Sequence, residues 1–163
     1  MSDRFTALEV LEIAIQMEQN GVKFYTLAAE RCDDKAMGQF MSQLAEMEKS
    51  HAADFEQMKK DLTSAQDNGN IYDPDAEMSY YLKAIAAGAG WEGKAGPGVE
   101  FTGNETPKEI LQMALAAEKN AIEYYTGIKE MVTSEDVRKK IGNIIREEMG
   151  HAGRLQKELG NMV

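Results

Sequence analysis

Cysteine is almost missing: Cys32 is the only one in 163 residues. A single thiol excludes an intramolecular disulfide framework and any metal site built on four cysteines. Positive charge is also scarce. Lys and Arg total 18 against 28 Asp and Glu, a net charge of −10. Such a chain has no basic surplus with which to displace counterions, so binding to a nucleic-acid backbone is not its main task. No apolar run is long enough to span a bilayer. The opening residues, Met1-Ser2-Asp3-Arg4-Phe5, lack the apolar core of a signal peptide. No segment carries a convincing strand pattern, and histidine occurs only twice. What remains is ordinary for a soluble globular protein, 43% hydrophobic and 28% charged. The length suits one domain spanning residues 1–163, and the expected location is the cytoplasm.

Helix signals dominate. Thr6-Ala7-Leu8-Glu9 has the form of a capping box, in which two side chains each satisfy an orphan amide. Leu8, Leu11, Ile15, Val22, Tyr25 and Ala29 then recur at helical spacing, predicting a helix over about 7–31. Asp33-Asp34 breaks it, and a second helix follows over about 35–64. Asp67-Asn68-Gly69-Asn70 reads as a turn. Asp73-Pro74 reads as a cap with proline at the first helical position, starting a short helix over about 74–87. Residues 88–104 are glycine-rich and read as an irregular loop. Thr106-Pro107-Lys108-Glu109 is a second capping box, opening a helix over about 107–131. Thr133 or Ser134 caps the last helix, over about 135–159, with Gly160 as its stop.

The chain repeats itself at an offset of 100. Residues 6–62 laid on 106–162 without a gap share twelve identities, among them Glu18 with Glu118, Tyr25 with Tyr125, Glu48 with Glu148 and His51 with His151. The expected fold is therefore all-α. Two helical hairpins, about 6–64 and 106–160, form a four-helix bundle, joined by a crossover of about 65–105 that contains the short helix.

Four glutamates interrupt the apolar stripes. Glu18 lies among Leu11, Ile15, Val22 and Tyr25, and Glu118 among Leu111, Leu115, Ile122 and Tyr125. Glu48 lies among Met41, Leu44, Ala52 and Phe55, and Glu148 among Ile141, Ile144, Ala152 and Leu155. Each is placed to face the core. An unpaired buried carboxylate costs roughly several kcal/mol, and no Lys or Arg stands on these stripes to offset it. Protons or metal ions are the remaining compensators, and two divalent cations would neutralise all four carboxylates. Both histidines follow a stripe glutamate by three residues, as Glu48-Lys49-Ser50-His51 and Glu148-Met149-Gly150-His151. At that spacing Glu and His share a helix face and can share a metal. One carboxylate from each of two helices, with Glu-x-x-His from each of the other two, is the ligand set of dinuclear carboxylate bundles. A bundle with protonated glutamates and hydrogen-bonded core histidines would leave these polar positions unexplained.

The six positions Glu18, Glu48, His51, Glu118, Glu148 and His151 resemble those of the ferritin-like superfamily, and most closely its rubrerythrin-like branch. The resemblance covers the four long helices. It implies two iron ions at one site, bridged by Glu48 and Glu148, and a reaction with hydrogen peroxide or dioxygen. Carboxylate and imidazole ligands also suit manganese or zinc. Three features depart from the branch. Ala121 stands where rubrerythrins carry an extra glutamate, and its repeat partner is Gly21. A four-cysteine rubredoxin segment is lacking, which implies a separate electron donor such as a rubredoxin-like protein. The chain ends 12 residues after His151, which makes a storage shell with a fifth helix the less expected assembly. A homodimer is the implied state.

Tyr25 and Tyr125 fall two turns beyond Glu18 and Glu118. They are candidates to donate a hydroxyl to a ligand carboxylate on a neighbouring helix, or to the oxidant, besides packing the bundle. Asn20 and Asn120 read as surface. Gly88-Ala89-Gly90-Trp91-Glu92-Gly93 matches a phosphate-loop pattern, but no strand precedes it and Ala95 replaces the required hydroxyl residue, so it reads as crossover loop. The expected activity is a non-haem di-iron peroxidase. Iron handling as a ferroxidase, or a non-catalytic zinc-binding bundle, are the alternatives.

Overall fold

Four long helices and one short helix account for the architecture of the described residues. A computed structural model describes residues 5–64, 71–88 and 101–162. The helices are α1 (Ala7–Arg31), α2 (Lys35–Ser64), α3 (Glu77–Gly88), α4 (Pro107–Met131) and α5 (Glu135–Asn161). Among the described residues the only β pairing is an isolated antiparallel bridge between Ile71 and Val132. Among the described residues no helix is long and apolar enough to cross a membrane.

The capping boxes set the starts of α1 and α4. The Thr6 amide donates to Glu9 Oε2 at 2.7 Å and the Glu9 amide to Thr6 Oγ1 at 3.2 Å. Thr106 and Glu109 repeat this geometry at the same distances. Ser134, not Thr133, caps α5, accepting from the Val137 amide. Two expected boundaries move. Helix α5 continues through Gly160 to Asn161, because Gly160 keeps a negative φ and the chain closes only where the Met162 amide donates to the Leu159 carbonyl. Helix α3 begins at Glu77 rather than at residue 74. The Asp73 carboxylate accepts from the amides of Met78 and Ser79, five and six residues ahead, and Ala76 is forced to φ 58° in the intervening turn. The expected turn at 67–70, and all of the phosphate-loop pattern except Gly88, lie outside the described residues.

Within each hairpin the helices run antiparallel, and the two hairpins pack so that the interior divides into two apolar clusters. One is built from the first half of α1, the ends of α2 and α4, the start of α5 and Leu82 of α3; Leu11, Phe55, Tyr125 and Ile141 are among its members. The other uses the end of α1, the starts of α2 and α4, and Leu155 of α5; Tyr25, Met41, Leu44 and Leu111 are among its members. Each cluster removes large aliphatic and aromatic side chains from water, at about 25 cal/mol per Å² of apolar surface. The stripe glutamates and both histidines fall in the layer between the clusters. Leu82 seats α3 over one end of the bundle, against Gly127 of α4. Asn20 and Asn120, expected on the surface, are half-buried.

Candidate metal centre

Each long helix delivers one or two polar side chains into the middle layer. Helix α1 brings Glu18, α2 brings Glu48 and His51, α4 brings Glu118, and α5 brings Glu148 and His151. All six are buried; Glu18 is 1% exposed and Glu148 0%.

The atoms converge in two overlapping groups. Glu18, Glu48, His51 and Glu148 offer ligand atoms within 4.8 Å of one another, and so do Glu48, Glu118, Glu148 and His151. Glu48 and Glu148 belong to both groups, as a pair of bridging carboxylates would. His51 Nδ1 lies 3.0 Å from Glu148 Oε1 and 3.6 Å from Glu18 Oε2. His151 Nδ1 lies 2.9 Å from Glu148 Oε2, 3.5 Å from Glu48 Oε1 and 3.6 Å from Glu118 Oε2. The imidazole rings face each other with centroids 5.8 Å apart.

Despite this crowding, Glu18 Oε2, Glu48 Oε1, both Glu148 oxygens and both histidine Nδ1 atoms make no properly directed hydrogen bond. Six buried donor atoms aimed at a common space without satisfying one another fit cation binding. A divalent ion in each group would meet three carboxylates and one imidazole.

Burial pushes the carboxyls of Glu18, Glu48 and Glu118 up from the ordinary range, Glu48 and Glu118 most strongly. Burial also raises Glu148, but His151 and His51 at its two oxygens outweigh that and hold it below the ordinary range. For His51, burial works against the charged form, yet the carboxylates of Glu148 and Glu18 prevail and push the pKa up to about 12. Glu118, Glu148 and Glu48 likewise push His151 up to about 11. Protons held on the histidines, beside the Glu148 carboxylate, are counter-charges the polypeptide supplies by itself.

The tyrosines cross between hairpins. The Tyr25 hydroxyl of α1 donates to Glu118 Oε1 of α4, and the Tyr125 hydroxyl of α4 donates to Glu18 Oε1 of α1. Burial, then the carboxylates they contact, raises both phenols well above their usual value, so they remain donors. The repeat is thus a pseudo-two-fold axis through the cluster.

The six glutamate and histidine positions singled out from the sequence all meet here. The sequence reading missed the residues behind the histidines. His51 Nε2 lies 2.8 Å from Glu147 Oε2, and His151 Nε2 lies 3.3 Å from Met47 Sδ. Positions 47 and 147 are repeat partners four residues before each histidine, one turn back on the same helix. That spacing was readable, but each contact is made to the histidine of the other hairpin. Gly21 has a role as well. A Cβ there would stand 2.9 Å from Glu48 Oε2, so the glycine leaves room for that carboxylate.

Comparison with known proteins agrees with this geometry. The family model described as a ferritin-like domain matches residues 6–161. The chain belongs to the ferritin-like domain family. Among solved structures, the fold matches that of a protein from Thermotoga maritima assigned as a ferritin-like diiron-carboxylate protein, with a TM-score of 0.73 and 21% identity over 100% of both chains. At that identity the likeness concerns the fold. No curated protein matches. Within the ferritin-like fold, the buried carboxylate–histidine layer is compatible with a dinuclear metal site.

Proposed function

We propose that this ferritin-like chain is a non-haem di-iron oxidoreductase that reduces hydrogen peroxide, in the manner of rubrerythrins. The carrying observation is a buried layer of six side chains arranged as two groups that share Glu48 and Glu148, with six of its ligand atoms left without a hydrogen bond. Glu18, Glu48, His51 and Glu148 would hold one ion, and Glu48, Glu118, Glu148 and His151 the other. Two Fe(II) ions held there would supply Lewis acidity and one electron each, the two electrons that together with two protons reduce hydrogen peroxide to two waters.

The chain's own residues do the rest. The four glutamates set the charge of the centre, and the apolar clusters above and below exclude bulk water. Tyr25 and Tyr125 fix the orientation of Glu118 and Glu18, and each keeps a hydroxyl proton inside the water-poor layer. With one cysteine in this sequence, the reading requires a separate electron donor, such as a rubredoxin-like protein. The resemblance to rubrerythrins supports a homodimer.

The test is anaerobic loading with Fe(II), then mixing with peroxide or with dioxygen while following oxo-bridged ferric absorbance. Rapid oxidation by peroxide, slow oxidation by dioxygen and two irons retained per chain are expected. Fast dioxygen consumption with continued iron uptake would replace this reading with ferroxidase activity. Failure to bind iron would leave zinc or a purely structural cluster. Glu148→Ala, which removes a ligand from both groups, is expected to abolish two-metal binding; two metals per chain with normal turnover would refute the assignment.

A further inference from the structure

The two halves of the centre match in their ligands but not in what holds their histidines. Both rings turn Nδ1 toward the carboxylates and Nε2 away. An imidazole that gives its Nδ1 lone pair to a metal carries its remaining proton on Nε2. The partner of that N–H fixes the ring and sets how strongly the ring donates. Behind His51 the partner is the Glu147 carboxylate at 2.8 Å, a strong charge-assisted acceptor. Behind His151 it is the Met47 thioether at 3.3 Å, a weak acceptor without charge. Glu147 is 53% exposed and Met47 half-buried, so neither side chain is locked in the core and the difference is one of chemistry.

A second observation breaks the symmetry in the same layer. Glu148 reaches both histidines, at 3.0 and 2.9 Å, whereas Glu48 comes within 4.0 Å of His151 alone and leans into the space left by Gly21. The equivalent place on α4 is filled by Ala121.

We propose that Glu147 is a positioning residue that makes the two metal positions unequal: the Glu18–His51 position binds a divalent ion more tightly than the Glu118–His151 position, and Met47 is what keeps the second position weak. This rests on the metal-centre reading above and extends it. A carboxylate behind a metal-bound histidine changes affinity by about 10- to 100-fold, so the first ion should fill the Glu18–His51 position almost alone.

The test uses the full chain crystallised with about half an equivalent of Mn(II), with anomalous scattering to report occupancy at each position. The wild type is expected to show manganese at Glu18–His51 in at least roughly tenfold excess. The double variant Met47→Glu with Glu147→Met exchanges the two partners and should move the ion to Glu118–His151. Should that variant fold poorly, Glu147→Met alone, which changes an exposed position, should erase the preference. Equal occupancy in the wild type overturns the proposal, as does a preference that stays in place in the exchanged variant. No manganese at either position, even at excess metal, would instead overturn the metal-centre reading on which it rests.

Discussion

Buried acids at the middle of a helical bundle make acidity itself a measure of how the cluster is balanced. A histidine whose pKa is higher in the folded chain than in the unfolded one carries extra protons between the two values. The stability it contributes is complete below its ordinary value of 6.5 and is lost as pH rises toward about 12 for His51 and about 11 for His151. The raised glutamates act in the same sense from 4.5 upward. Glu148 acts in the opposite sense, contributing above 4.5 and losing that contribution on acidification. Between pH 7 and 9 the histidines govern, so the chelator-treated protein should melt at a lower temperature at pH 9. Divalent metal must displace those protons, so the rise in Tm on adding Mn(II) should be larger at pH 9 than at pH 7. A Tm that is flat across this range in both states would contradict the charge balance described. The six polar positions were legible because carboxylates inside apolar stripes conflict with a plain core. Glu147 and Met47 were not, because a residue's partner on a different helix cannot be read along its own helix.

At the scale of elements, local chemistry decided most boundaries. The starts of α1, α2 and α4 were readable because paired capping side chains, a proline at a first turn and an aspartate pair act within a few residues. Helix α3 was misjudged at its start because Asp73 bonds five and six residues ahead rather than two or three. Its docking is a second matter that sequence conceals. Gly127 has no feature marking it as a contact, yet a Cβ there would lie 2.7 Å from Leu82 Cδ2 and 3.0 Å from the Tyr81 ring. Gly127→Val should therefore displace α3 and lower the unfolding free energy by about 1–3 kcal/mol in urea melts, as overpacking does. An unchanged midpoint would mean that α3 is not seated on α4 as described.

For the molecule as a whole, the centre is where the two hairpins are joined. The ligand groups draw on α1, α2 and α5 in one case and on α2, α4 and α5 in the other. An ion that binds only the folded chain stabilises it by about 2.7 kcal/mol at a concentration 100 times its Kd. Mn(II) should thus shift the melting of the entire helical signal, as a single cooperative transition. A shift confined to part of the signal would show that the hairpins unfold independently. The bundle and its pairing of hairpins were foreseeable from the offset of 100, which places matching polar residues on matching helices.

The crossed tyrosines carry a meaning for descent. Each hairpin's phenol serves the other hairpin's glutamate, so one hairpin is an incomplete object, while two identical copies about a true dyad would complete each other. Such a pair could never place Glu147 behind one histidine and Met47 behind the other, since symmetry would force one residue into both places. Joining the copies in a single gene removes that constraint. It lets mutation tell the two halves apart, and with them the two ends of one reaction centre.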